Sequence, residues 1–415
     1  MIVGRPERPR TSANLSSLGS DEASRGSPAV RSFLSMRLCS LQSVQGHVVL
    51  GQPLGFSVRD EHRQLLLAKG QVIHDDKQLA ELFQRGALVE IDEIADLVQQ
   101  PGRRSTRLRL RADALPDAWS DCSGEVRRAL STDASELATA VHSATDQLLR
   151  LIDHSPEVAL SQVVRQPESD GHYGVNHSIH AATACHAAAR FLGWNTDEQR
   201  RAFQAALTMN ISMVDLQARL ATQVSPLTTL QREAIHHHPT RSAEILDKAG
   251  ITDNAWLESV AQHHELPDGS GYPQRATEVG ELATLLRFAD VYTARLSARA
   301  TRPAMSAQQA GRELHLLADS NPLAGALIKA FGIFPPGTMV RLASGELGLV
   351  IGNGDKAYHP VVAALTDAAG EPRLTPMRRD TSRGGHAVVA LLSAQSMPMR
   401  LSEERIATLI TEEAA

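Results

Sequence analysis

The residues best suited to chemistry lie in one string, His263-His264-Glu265-Leu266-Pro267-Asp268-Gly269-Ser270-Gly271-Tyr272-Pro273. Adjacent histidines followed at once by a carboxylate are unusual inside a helix, because each imidazole brings a polar ring that needs its own partner. Metal ions are the commonest partners of such clusters. Asp268 to Gly271 then supply a chain reversal, since aspartate bonds its own backbone and the glycines accept positive φ without a Cβ clash. The helix bearing the histidines is expected to stop here, leaving two imidazoles at its end as candidate ligands of a divalent ion.

The string, closing on Gly-Tyr-Pro, resembles the signature of the HD-GYP family, the cyclic-di-GMP phosphodiesterase branch of the HD metal-dependent phosphohydrolases. The likeness runs from about Ser120 to Pro336. It implies an HD-type helical domain in which two cations share a bridging carboxylate and a water-derived oxygen. As metal ligands it implies His177, which follows Tyr173; His238, in a segment running from Leu227-Thr228 to His238-Pro239; His263 and His264; and Asp290, in Arg287-Phe288-Ala289-Asp290-Val291-Tyr292. Downstream, Arg299 to Met305 resembles the family's arginine-proline segment, where basic side chains contact phosphate, and Arg302 is the best match.

One landmark departs. Aligning Ala205-Ala206-Leu207-Thr208 with the apolar lead of the family string AALLHDIGK places Met209-Asn210-Ile211-Ser212-Met213 where HDIGK belongs. No confident catalytic residue is left at the pair. Asn210 is nearly isosteric with the bridging aspartate but offers a neutral amide oxygen, and the Met209 thioether suits soft Cu(I) rather than Fe, Mn or Zn. Met213 removes a lysine. By the resemblance, the first cation keeps His177 and Asp290, and the second keeps His238, His263 and His264. Three imidazoles suffice for a zinc-like ion, so the expected content is one divalent metal (Fe, Mn or Zn) or none, rather than two.

The resemblance thus implies a protein of bacterial cyclic-di-GMP signalling, catalytically impaired and acting by binding the nucleotide or by docking a partner. Gly271, Tyr272 and Pro273 are intact, which makes diguanylate cyclase-type domains the candidate partner. The alternative is an active cyclic-di-GMP phosphodiesterase rebuilt with substitute ligands. His180, one helical turn after His177, is the better substitute; His236 and His237 are others, and Asp215 lies well round the helix from Asn210 at about 100° per residue. A purely structural helical protein would leave the intact string unexplained.

Composition frames these elements. With 415 residues the chain is long enough for several domains, and 4% aromatics beside abundant Ala and Leu favour a mainly α body. A net charge of −5 argues against a nucleic-acid or anionic-membrane surface. Cys39, Cys122 and Cys185 are widely spaced, as in a reducing compartment. No apolar run reaches membrane-spanning length and no signal-peptide core is present, so a cytoplasmic protein is expected.

The expected organisation is a disordered tail over 1–42, with Met36 an alternative start; a small accessory α/β module over 43–98, containing His47, His62 and His74; an Arg-rich linker over 99–120; the HD-type helical domain over 121–332; a small β appendage over 333–397; and a C-terminal helix over 398–415. Asn195 with Glu198 marks a helix start, Gly193 ends the helix before it, and 279–296 is an amphipathic helix.

Overall fold

A computed structural model of the chain describes residues 38–41, 48, 50–54, 56–60, 65–68, 71–85, 87–90, 110–166, 172–393 and 396–412. Met36, His47, His62, the arginines at 103–109 and nearly all of the expected tail lie outside these residues. The chain divides into two compact units, 1–104 and 105–415.

In the first unit, β1 (Leu38–Ser40), β2 (Val58–Arg59), β3 (Leu65–Leu67) and β4 (Leu88–Glu90) form an antiparallel sheet in the order β1-β4-β2-β3. The expected tail therefore ends sooner than residue 42. Leu38–Ser40 pairs with Leu88–Glu90, and Leu41 is fully buried. Helix α1 (Asp76–Gln84) starts where Asp75 accepts the Gln78 N–H. It turns Leu79 and Leu82 onto Phe56, Val58, Ile73 and Val89.

The second unit is helical as far as residue 331. Its elements are α2 (Leu115–Leu130), α3 (Ala134–His154), α4 (Pro156–Arg165), α5 (Tyr173–Phe191), α6 (Thr196–Thr208), α7 (Val214–Thr222), α8 (Thr229–Lys248), α9 (Asn254–Gln262), α10 (Glu281–Leu296), α11 (Ala307–Leu317) and α12 (Pro322–Phe331). Helix α2 opens inside the stretch expected to be linker. Pro116 sits in its first turn, where a missing N–H costs nothing, so it starts the helix instead of breaking the chain. The starts at Asn195 and Thr228 are capping boxes, with Glu198 and Gln231 reaching back to the cap.

Helix α5 is the axis of this body. Ala181, Ala182, Ala184, Ala188 and Ala189 are all fully buried on it, so neighbouring backbones can approach closely, and it packs against α6, α7, α10 and α12. Gly174 on its first turn meets the Val214 carbonyl so closely that a Cβ would collide.

The chain then forms β5 (Met339–Leu342), β6 (Leu347–Gly352), β7 (Val361–Thr366), β8 (Pro372–Asp380) and β9 (Val388–Leu392), an antiparallel sheet in the order β8-β7-β6-β5-β9. Glu346, before β6, is buried and paired with Arg379 at 2.7 Å and Arg373 at 3.2 Å. Helix α13 (Glu403–Thr411) returns to the helical body, placing Ile406, Leu409 and Ile410 in its core, with Glu403 2.6 Å from Arg165.

Candidate metal centre

Two of the histidines are aimed by defects in helices. His238 sits within α8 directly before Pro239. Proline has no N–H, so the helix leaves the Ile235 carbonyl without its usual donor, and His238 Nδ1–H donates to that oxygen at 2.6 Å. His263 caps the end of α9, where carbonyls lose their helical partners, and its Nδ1–H donates to the Val260 carbonyl at 2.7 Å. Both rings thus carry their proton on Nδ1 and present a bare Nε2 lone pair.

Those two Nε2 atoms lie 3.1 Å apart. His264 completes the cluster, its ring centre 4.2 Å from that of His263 and 5.0 Å from that of His238, and one ligand atom from each of the three falls within 4.8 Å of the others. Burial pushes His238 and His263 down to about 4 and His264 to about 3, so all three are neutral at pH 7. Facing lone pairs in a buried wall repel unless a cation lies between them. The trio therefore fits one divalent ion, and Zn²⁺ readily accepts three imidazoles with an open fourth position.

The other half of the family's centre is arranged differently. His177 Nε2–H donates to Asp290 Oδ1 at 2.8 Å, and the Asn210 Nδ2 amide donates to the same oxygen at 3.4 Å. Burial drives the Asp290 carboxyl up, but the hydrogen bond from His177 outweighs it and holds the group well below the usual carboxylate range. Asn210 acts here as a donor and not as an oxygen ligand. Met209 is fully buried within the apolar core, and the Ser212 hydroxyl donates to the His238 carbonyl at 3.0 Å, tying the altered string to α8.

The Gly-Tyr-Pro turn is built onto this wall. Glu265 is buried, and its carboxylate accepts the N–H groups of Gln274 (2.6 Å), Arg275 (3.1 Å) and Ala276 (3.1 Å). A Cβ at Gly271 would come within 2.5 Å of Glu265 Cα and would strike the Leu266 nitrogen, so only glycine passes there. Tyr272 is stacked on His264 (ring centres 4.7 Å, 19°) and on His236 (5.3 Å, 25°). His236 and His237 are exposed, yet His236 is bound into this stack. Sequence reading gave it no such part, because stacking leaves no spacing pattern.

A cavity of about 180 Å³ opens beside the trio, lined by His177, Asn210, Met213, Gln217, Tyr272 and Arg299 among others. Arg299 donates twice to the Tyr173 hydroxyl, at 2.9 and 3.1 Å. Arg302 instead donates to the Ala294 carbonyl near the end of α10 at 2.5 Å and is not among the lining residues. Of the substitutes considered, Asp215 is exposed, while His180 is buried, pushed down to about 3 by burial, and outside both the trio and the cavity lining. Gln217 was not singled out from sequence, and Arg299 stood only in the arginine-proline segment where Arg302 was the best match; the i, i+4 step from Met213 to Gln217 is the signal that could have found the first.

Residues 147–322 match the HD domain family. The chain is 28% identical over 256 residues to the cyclic di-GMP phosphodiesterase PA4108 of Pseudomonas aeruginosa, covering 59% of this chain and 61% of that protein. It is 26% identical over 141 residues to the 3'3'-cGAMP-specific phosphodiesterase 1 of Vibrio cholerae, covering 34% and 32% respectively. The chain thus spans about three fifths of the first of these relatives and a third of the second. Among solved structures, Bd1817, an HDG"Y"P protein from Bdellovibrio bacteriovorus, aligns with TM-score 0.44 and 14% identity over 70% of this chain and 97% of that one. Residues 147–322 thus carry an HD domain, and the histidine trio followed by the Gly-Tyr-Pro turn makes the chain similar to the HD-GYP proteins.

Proposed function

We propose that this protein is a one-metal, cytoplasmic receptor of cyclic-di-GMP signalling, which binds a cyclic dinucleotide in the cavity beside His238, His263 and His264 and hydrolyses it at most weakly. The observation that carries this reading is the Asn210 amide donating to Asp290. A bridging aspartate would bring negative charge between two cations; an amide N–H turned toward the carboxylate takes the place of a cation's attraction and leaves the second ion without a bridge.

When bound, the ion supplies a Lewis-acid contact for a phosphodiester oxygen. The chain's own residues do the rest. His238 and His263 hold their tautomers through Ile235 and Val260. Arg299 keeps N–H donors for a phosphate beyond the two spent on Tyr173. Met213, Leu220, Ile235 and Ala294 give the cavity an apolar wall that admits the nucleotide's less polar faces. Arg302 is a further candidate phosphate contact, and the Gly271-Tyr272-Pro273 turn is the candidate docking surface for diguanylate cyclase-type domains.

A second reading, an active cyclic-di-GMP phosphodiesterase, draws support from the intact trio and from the activities named for the two curated relatives. One sample of protein purified without a metal-binding tag separates the two: metal by elemental mass spectrometry, cyclic-di-GMP binding by calorimetry, and turnover with added Mn²⁺. The receptor reading expects about one ion per chain, binding, and turnover that is weak or absent. Two ions with turnover abolished by His263→Ala would overturn it in favour of the enzyme.

A further inference from the structure

Helix α7 presents one face to the cavity. Gln217 and Leu220, three residues apart, line it together with Met213, which directly precedes the helix. Gln217 is only 7% exposed, and its side-chain oxygen has no hydrogen-bond partner. A buried amide oxygen left unpaired is costly and needs a cause. Of the residues lining the cavity, Met213, Leu220, Ile235 and Ala294 are apolar, and none of the polar ones bonds to it. The terminal amide can also swing half a turn, presenting either its oxygen or its NH₂ group to the cavity.

The missing partner is chemically constrained. A phosphodiester offers only acceptors, so it can take the NH₂ group but can never satisfy the oxygen. A group bearing its own N–H or O–H can. We propose that Gln217 is a specificity-determining residue that reads the non-phosphate edge of the bound nucleotide, a base edge or a ribose hydroxyl, while Arg299 holds phosphate. This rests on the reading of the cavity as a cyclic-dinucleotide site. It gives the cavity two recognition elements of opposite kind, a cation for the backbone and a neutral amide for the nucleoside.

The test is calorimetric titration of the full metal-loaded chain with cyclic di-GMP and with 3'3'-cGAMP, for wild type and for Gln217→Leu, which is close in shape and compatible with the apolar wall. Loss of one hydrogen bond should weaken binding by about tenfold. Weakening confined to one dinucleotide assigns the contact to the base; weakening of both assigns it to a feature the two share, the ribose or the guanine. Gln217→Leu binding both as tightly as wild type overturns the inference alone. Should the leucine variant fail to melt cooperatively, Gln217→Asn, which keeps the amide but withdraws it by one methylene, is judged by the same criterion. Wild type binding neither dinucleotide overturns the receptor reading, and this inference with it.

Discussion

The Nε2 atoms of His238 and His263 face each other at 3.1 Å, each ring having given its only proton to a backbone carbonyl. Such a pair is arranged as ligands of one ion would be. Untagged protein should carry about one divalent ion, and His263→Ala should bring it near zero. The ion should raise thermal stability, by about 2.7 kcal/mol when free metal stands at a hundred times its dissociation constant. A melting temperature indifferent to chelator and to added Zn²⁺ or Mn²⁺ would contradict the site.

Restoring the missing ligands should restore a second ion. The double variant Met209→His with Asn210→Asp is expected to bind two ions and to gain at least about 100-fold in cyclic-di-GMP hydrolysis over wild type, since the bridged pair is worth several kcal/mol to the transition state. Asn210→Asp alone places a second carboxylate against Asp290 and should destabilise the metal-free protein by about 1–3 kcal/mol. Added Mn²⁺ should recover that loss. Thermal melts with and without Mn²⁺, and a turnover assay, read out both.

Glu265 holds the Gly-Tyr-Pro turn from behind by accepting three backbone N–H groups. Glu265→Gln keeps the shape but replaces a charged acceptor with an amide that must point one NH₂ at those donors. The expected cost is about 1.5–3 kcal/mol, with hydrogen exchange rising first at residues 274–276. Unchanged exchange there would mean that the turn stands without Glu265.

The β appendage should show its own acid sensitivity. Hydrogen bonds from Arg379, set against burial and joined by Ser344 and Arg373, pull the Glu346 carboxyl down to about 2 from an ordinary 4.5. A depressed carboxyl stabilises the fold fully above about pH 4.5 and loses that contribution as pH falls toward 2, an effect of up to about 3 kcal/mol for this buried group. Glu346→Gln should therefore be less stable at pH 7 and should show a flatter decline between pH 4.5 and 2. Parallel acid-unfolding curves for the two proteins would refute the assignment.

Much of the helical body was legible because its signals are local. Asn195 with Glu198, Thr228 with Gln231, and the apolar period of 279–296 each specify an element from a few neighbouring residues. Of the trio, His263 and His264 were legible as adjacent imidazoles at a helix end, while His238 came only from the resemblance of its segment to that of the HD-GYP family. What the sequence hid is long-range. Nothing near Leu38 announces its pairing with Glu90, Pro116 reads equally well as a breaker or a first-turn residue, and neither the stacking of His236 on Tyr272 nor the bond from Asn210 to Asp290, 80 residues on, leaves a trace in spacing.

Tyr272 is stacked on both His264 and His236, so the Gly-Tyr-Pro turn is in direct contact with the histidine wall. A load on the turn is felt at His264, and an ion drawing on His264 is felt at the turn. Linkage makes this exchange symmetrical: whatever factor an ion adds to the affinity of a protein grasping the turn, that protein adds to the affinity for the ion. One tyrosine ring is thus the physical contact through which the turn and the histidine cluster meet.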